Sequence, residues 1–323
     1  MTDLNLKILY ELDDDARSNL SNIAKKTRTS QQMISYTVKQ LIKKKIILDF
    51  TTVFDYSRFD LNSYIVMFRL FYKSKKDFNN FLYYLKNTPE LSKLEVLDGK
   101  WDVYAVFLAP NPSYFNKMLH KIKSDNIYLV RNELIITTVV TYLFPRTYLR
   151  SGKHDLRKFM IVGGDRNVVK LTDNQKEICK QLLFSPLAKI SDLSKKTNMS
   201  FLTITNAIKN LKGRNVIRGF KPIIDYEQID VICKKIFIKY QGVLLDEEKI
   251  VAFCKEYVNV INIVKTFGKW DLIVSVEARK KKDFDDFLTS LREQFEDYMA
   301  DFEVTDVQKT EMLRFLPKNY FAD

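Results

Sequence analysis

The sequence predicts an α+β protein in which two winged helix-turn-helix domains alternate with two βαββαβ ferredoxin-like domains. Three observations predict it. Residues 20–47, LSNIAKKTRTSQQMISYTVKQLIKKKII, spell two helices around a tight turn, with a strand beginning after the second. Residues 190–217, ISDLSKKTNMSFLTITNAIKNLKGRNVI, repeat that pattern; Ser30 matches Ser200, and Asp55-Tyr56 matches Asp225-Tyr226, at an offset of 200 − 30 = 170. Behind each stretch lies a strand-helix-strand-strand-helix-strand series, and Gly268-Lys269-Trp270-Asp271 follows Gly99-Lys100-Trp101-Asp102 by 268 − 99 = 169. A period this long marks a duplicated domain pair, not a short-repeat solenoid. The expected boundaries are 1–48 and 170–219 for the winged units, 49–149 and 220–323 for the α+β domains with their hinge strands, and 150–169 for a linker.

Taken in order, Asp3 is expected to cap a helix over 4–12 with Leu4, Ile8 and Leu12 on one face. Ile23, Ala24 and Thr27 fit the inner face of the next helix. Ser30 suits the N-cap of the third, because its hydroxyl can accept from an orphan N–H of the first turn. Ile34, Val38 and Leu41 then recur at i, i+4 and i+7 as one buried stripe. Residues 46–56 read as a strand. In the first α+β block, 63–72 and 91–99 read as strands, 75–87 as a helix with Phe78, Phe81, Leu82 and Leu85 inward, and 101–109 as the hairpin partner across Gly99-Lys100. Pro112 starts a helix burying Tyr114, Phe115, Met118, Leu119 and Ile122, and 129–144 is a last long strand. Within the linker, Phe159 to Val162 is apolar enough to pack on something. The scheme restarts with a helix over 171–184, capped by Thr172 or Asp173, and runs through the second block in the same order.

The chain has 323 residues, 46% of them apolar, which supports packed cores and excludes a disordered chain. Its net charge of +13 and pI near 9.3 favour an acidic partner, nucleic acid first, although a lysine-rich solvated surface would give the same balance. Cys179, Cys233 and Cys254 form no CxxC pair, and two histidines, His120 and His154, make a metal site improbable; neither a metal nor a cofactor is expected. There is no signal-like opening and no apolar run near the ~20 residues of a membrane helix, so a cytoplasmic chain without membrane contact is expected. No Walker loop, HExxH or nucleophile elbow is present, and no catalytic residue is assigned.

With the helix-turn-helix followed by a strand, the G-x-x-D hairpins Gly99…Asp102 and Gly268…Asp271, and their duplication, the chain resembles the Lrp/AsnC (feast/famine) family of transcriptional regulators. The resemblance covers nearly everything except the linker. It departs in two turns: Arg28 and Asn198 stand where the family has Gly between the helices, and Lys45 and Asn215 where it has Gly after the recognition helix. The resemblance implies double-stranded DNA as partner, a small effector such as an amino acid near the G-x-x-D hairpins, and a pseudo-dimer within one chain. Exposed strand edges would allow further homo-oligomerisation.

The candidate DNA face is Ser30, Gln31, Gln32, Ser35, Tyr36 and Lys39, with Lys43 and Lys44 at the helix end. Glutamine can bond adenine edges in pairs, and lysine serves phosphate or guanine. In the second unit Thr203, Thr205, Asn206 and Lys209 take those places, and Lys195, Lys196, Lys212 and Arg214 can reach phosphate. Phe201 and Leu202 lie where base contacts are expected; they suit thymine methyls, and equally a protein partner. Gly99, Asp102, Gly268 and Asp271 carry either the effector and assembly loop or an ordinary turn, in which Gly supplies an unusual backbone angle and Asp bonds nearby N–H groups. A third function class remains: sirohaem decarboxylases share the fused architecture, but Arg131, Arg146 and His120 match no tetrapyrrole-binding motif.

Overall fold

The computed structural model describes residues 1–150, 159–242 and 247–322; His154 and residues 151–158 of the expected linker lie outside the described residues. The chain opens with α1 (Asp3–Asp14), α2 (Leu20–Thr27) and α3 (Gln31–Lys43), then β1 (Ile47–Phe54). Next come β2 (Asn62–Leu70), α4 (Lys75–Asn87), β3 (Leu91–Asp98), β4 (Val103–Ala109), α5 (Pro112–Asp125) and β5 (Val130–Leu143). The apolar tract in the linker is a strand, β6 (Met160–Gly163), paired with the end of β5. The chain continues with α6 (Asp173–Phe184), α7 (Ile190–Thr197), α8 (Phe201–Gly213), β7 (Ile217–Ile224) and β8 (Ile232–Tyr240). It ends with α9 (Glu247–Glu256), β9 (Val260–Phe267), β10 (Leu272–Ala278), α10 (Lys281–Phe295) and β11 (Met299–Leu313).

The helix starts follow their capping chemistry. Ser74 and Asp77 form a reciprocal box on α4, Thr172 and Gln175 another on α6, and Asn111 caps α5 ahead of Pro112. At α1 the cap is Thr2, not Asp3: its hydroxyl accepts from Asn5 N at 3.3 Å, and Asp3 moves into the first turn, where its charge complements the helix dipole. Phe81, Leu82 and Leu85 of α4 and Phe115, Leu119 and Ile122 of α5 are buried against the sheet. Tyr114 is not. It is 43% exposed because it lies at the rim, where its hydroxyl donates to Glu90 Oε1 at 2.6 Å.

Strands β5-β2-β4-β3 form one antiparallel set and β11-β8-β10-β9 another. The two long strands join them. β5 pairs with β2 over its first half and with β9 over its second; β11 pairs with β8 and then β3. The sheet thereby closes on itself, and the outer strand edges expected to recruit further copies are largely paired within the chain.

β1 and β7 form a separate antiparallel ribbon, from Ile47↔Ile224 to Phe54↔Ile217. This ribbon crosses the two helical units over. α1 packs on β7, and its core runs into Ile224, Tyr226 and Ile229; α6 packs on β1, and its core runs into Val53, Phe54 and Phe59. Thr52 Oγ1 donates to Leu182 O at 2.7 Å across the second contact.

The first contact is sealed by buried charge. Arg146 donates to Glu277 through Nε (2.8 Å) and Nη2 (3.0 Å), and to Asp13 Oδ1 through Nη1 (2.7 Å). Lys221 Nζ reaches Asp13 Oδ2 at 3.0 Å, and Tyr148 donates to Glu277 at 2.6 Å. Burial alone would raise the Asp13 carboxyl, but Lys221 and Arg146 hold it below the ordinary carboxylate range. Burial likewise opposes the Arg146 charge, and Glu277 and Asp13 more than reverse this.

Candidate nucleic-acid interface

α2 ends in a left-handed residue, Arg28 (φ 54°, ψ 47°), whose N–H bonds back to Ala24 and Lys25 carbonyls. Asn198 (φ 55°, ψ 24°) is likewise left-handed after α7, and Lys45 and Asn215 (both φ 57°) turn the chain out of the recognition helices. All four positions where the resembling family places Gly are therefore left-handed here. Asn tolerates that conformation better than Arg or Lys.

Ser30 caps α3, accepting from Met33 N at 3.1 Å. Ile34, Thr37 and Leu41 are buried, with Val38 half-buried. Gln31, Gln32 and Lys39 are exposed, Tyr36 is 61% exposed, and Ser35 is half-buried beside them. Lys43, Lys44 and Lys45 project at the helix end. Met33 also faces solvent one turn before Tyr36, a position that sequence reasoning passed over because methionine at helical spacing reads as core.

α8 is built the same way and presents a different face. Ser200 accepts from Thr203 N at 3.1 Å and also bonds the Thr203 hydroxyl at 2.8 Å. Thr205 gives its hydroxyl to Phe201 O at 2.8 Å. Both threonine hydroxyls are thus engaged within the helix. Asn206 and Lys209 are exposed, as are Lys195, Lys196, Lys212 and Arg214, and Phe201 (58%) and Leu202 (70%) stand out into solvent.

The two hairpins close strand ends. Asp102 Oδ2 accepts from Leu70 N at 2.8 Å, and Arg69 donates to Gly99 O at 3.0 Å. Asp271 accepts from Tyr240 N at 2.9 Å and from Lys239 Nζ at 2.8 Å. Gly99 (φ 151°) and Gly268 (φ 127°) hold backbone angles that L side chains rarely adopt. Trp101 and Trp270 are buried inside the sheet. His120 and Arg131 are exposed on α5 and β5, remote in role from the buried Arg146.

A cavity of about 130 Å³ lies between the β1/β7 ribbon and the closed sheet, with Tyr104, Arg146, Lys221, Lys235 and Asn262 in its wall. No histidine among the described residues lines it. Among the described residues no helix is long and apolar enough to cross a membrane.

A winged helix-turn-helix DNA-binding family model matches residues 1–47, the segment that carries α1 to α3. An uncharacterized HTH-type transcriptional regulator of Pyrococcus furiosus is 30% identical over 125 residues, covering 38% of this chain and 82% of the relative. The chain belongs to the HTH-type transcriptional regulators. A second relative in this regulator family, FL11 of Pyrococcus horikoshii, is 26% identical over 121 residues, 37% of this chain and 79% of its own length. Among solved structures, the siroheme decarboxylase NirDL matches 99% of this chain and 96% of its own, with a TM-score of 0.61 at 12% identity. That likeness is one of fold, and it shows that this arrangement of elements occurs elsewhere along a whole chain.

Proposed function

We propose that this regulator binds double-stranded DNA sequence-specifically, as two Lrp/AsnC-like units in tandem that pair as an intramolecular pseudo-dimer. The observation that carries this is the exposed face of α3 inside the matched winged segment. Gln31 and Gln32 take adenine edges, Tyr36 and Met33 take apolar groove contacts, and Lys39, Lys43 and Lys44 take phosphate or guanine. The units are 1–48 with 49–149 and 170–219 with 220–323. Their recognition helices differ, so the operator is asymmetric: α8 contributes Asn206, Lys209 and the Phe201-Leu202 pair, and its threonines serve the helix. The G-x-x-D hairpins are assigned a structural role, since Asp102 and Asp271 are spent on neighbouring strand ends.

The test is fluorescence anisotropy on genomic duplex fragments across a salt series. Wild type should bind with a steep salt slope. Gln32→Ala with Lys39→Ala should weaken binding and flatten the slope by about one unit for the lost lysine. Absence of binding at low salt would overturn the reading. Equal preference for both halves of the operator would overturn its asymmetry.

A second reading has one observation in its favour: NirDL, a siroheme decarboxylase, shares the fold over the whole chain. Against it, the cavity of about 130 Å³ is smaller than the ~300–1,000 Å³ usual for ligand pockets, and Arg146 and Lys221 in its wall are already paired with Glu277 and Asp13. Added sirohaem should leave the protein colourless after desalting; a retained tetrapyrrole spectrum would favour this reading.

A further inference from the structure

The wall of the cavity carries a charge set that the chain itself leaves unbalanced. Lys235 on β8 is 1% exposed, and its ammonium lies 2.9 Å from Glu95 Oε2 and 3.2 Å from Ser275 Oγ, over the Tyr104 ring at 4.4 Å. Lys93 pairs with the other Glu95 oxygen at 2.7 Å. Two ammoniums against one carboxylate leave 2 − 1 = +1. The neighbouring network of Arg146 and Lys221 with Asp13 and Glu277 balances at 2 − 2 = 0, so the positive charge is not neutralised from there. A surplus charge only partly in reach of water, through Lys93, is stabilised when a counter-charge joins it.

The same wall holds polar atoms with no hydrogen-bond partner: Thr310 Oγ1 and Asn262 Oδ1, on side chains 4% and 8% exposed. Register brings these groups into one band. Thr310 pairs with Glu95 across β11 and β3, Lys235 with Ser275 across β8 and β10, and Ser275 with Asn262 across β10 and β9. The rest of the wall is largely aliphatic and aromatic, including Ile65, Val106, Leu143 and Phe144. A polar band with a surplus positive charge facing an apolar wall describes the two ends of a small amphiphilic acid.

We propose that the closed sheet holds a small organic monoanion, a short-chain carboxylate with an apolar body, its carboxylate at Lys93 and Lys235 and its body against the aliphatic wall. The carboxylate brings the triad to neutrality, and Thr310 donates to it. The volume, about four waters' worth at roughly 30 Å³ each, sets a short chain. Lys93, with 18% of its side chain exposed, marks the approach from solvent. The site stands apart from the recognition helices, and its binding is read without DNA.

The experiment is calorimetric titration of the full chain with isovalerate and with its neutral isostere isovaleramide. Isovalerate should bind about tenfold or more tightly than the amide. Lys93→Met leaves the neutral Lys235–Glu95 pair, so the variant should keep its thermal transition and lose the preference for the acid. Glu95→Gln, which raises the surplus charge, should tighten isovalerate binding. Equal affinity for acid and amide, an unchanged affinity in Lys93→Met, or a crystal structure at high isovalerate with only water in the cavity would each overturn the proposal.

Discussion

The two helical units meet the sheet through seams built at corresponding positions from opposite chemistry. The first seam is Asp13, Arg146, Lys221 and Glu277, bonded in one buried network. At the sequence offset, Asp13 corresponds to Leu183 (183 − 13 = 170), Lys221 to Thr51 (221 − 51 = 170) and Glu277 to Leu108 (277 − 108 = 169). Leu183 and Leu108 are buried in the second seam, with Leu316 beside them. The apolar seam gains from burial in proportion to area and tolerates small shifts. The ionic seam gains little net stability over an apolar equivalent, because desolvation offsets the pairing, but it is satisfied in one geometry only. The unit with the polar recognition face sits on the ionic seam, and the unit showing Phe201 and Leu202 sits on the apolar one.

The contrast can be broken most sharply at Arg146. Arg146→Met leaves Asp13 and Glu277 buried without their shared partner and should cost about 3–5 kcal/mol in urea unfolding. A loss under about 1 kcal/mol would mean that the network is not desolvated as its burial implies. Adding Asp13→Leu, Glu277→Leu and Lys221→Met, so that Lys221 is not left buried without its carboxylate, should restore most of that loss, as replacement of a whole ionic set by apolar groups does. In the other seam, Leu108→Ala should cost about 3 kcal/mol through lost transfer and cavity formation, with no dependence on salt or pH.

Acid separates the seams next. The folded Asp13 carboxyl lies below its ordinary value of 3.8, so its contribution is complete above that value and is lost as pH falls toward the folded value. Hydrogen exchange should therefore accelerate in α1 before α6 as pH drops below about 3.8 toward the folded value, and Asp13→Asn should remove the difference. The smallest expected effect is at the turns. Arg28→Gly should add about 0.5–1 kcal/mol by relieving a left-handed arginine, and Asn198→Gly should add less, since Asn already tolerates the angle.

Much of the secondary structure was legible because its signals are local. Ser30 and Thr172 mark helix starts, Pro112 fixes another, and the spacing of Phe81, Leu82 and Leu85 points one face of α4 inward. The offset near 170 relates Ser30 to Ser200 and Gly99 to Gly268 within the sequence itself. What was not legible depends on pairing between residues far apart. Nothing in KLEVL announces that Glu95 meets Lys235, because only the β3–β11–β8 ladders bring them together. Arg146 was noticed and matched no motif, for its partners come from α1 and β10. On the recognition face, Met33 faces solvent though it is absent from the candidate set, and the local bonds of the Thr203 and Thr205 hydroxyls show only once the helix is folded.

Closure of the sheet also bears on how the protein is made. β3 finds its outer neighbour in β11, which begins 299 − 98 = 201 residues after β3 ends. At roughly 5–20 residues per second, a ribosome exposes that strand for about 10–40 s before its partner emerges. Throughout that interval the nascent chain shows the open edges that the finished molecule conceals, so chaperone demand should peak during synthesis and not after release. Exchanging Lys93 for an uncharged residue would then remove a gatekeeper from the waiting edge, and should lower soluble yield at high expression rates more than it lowers the stability of the purified protein.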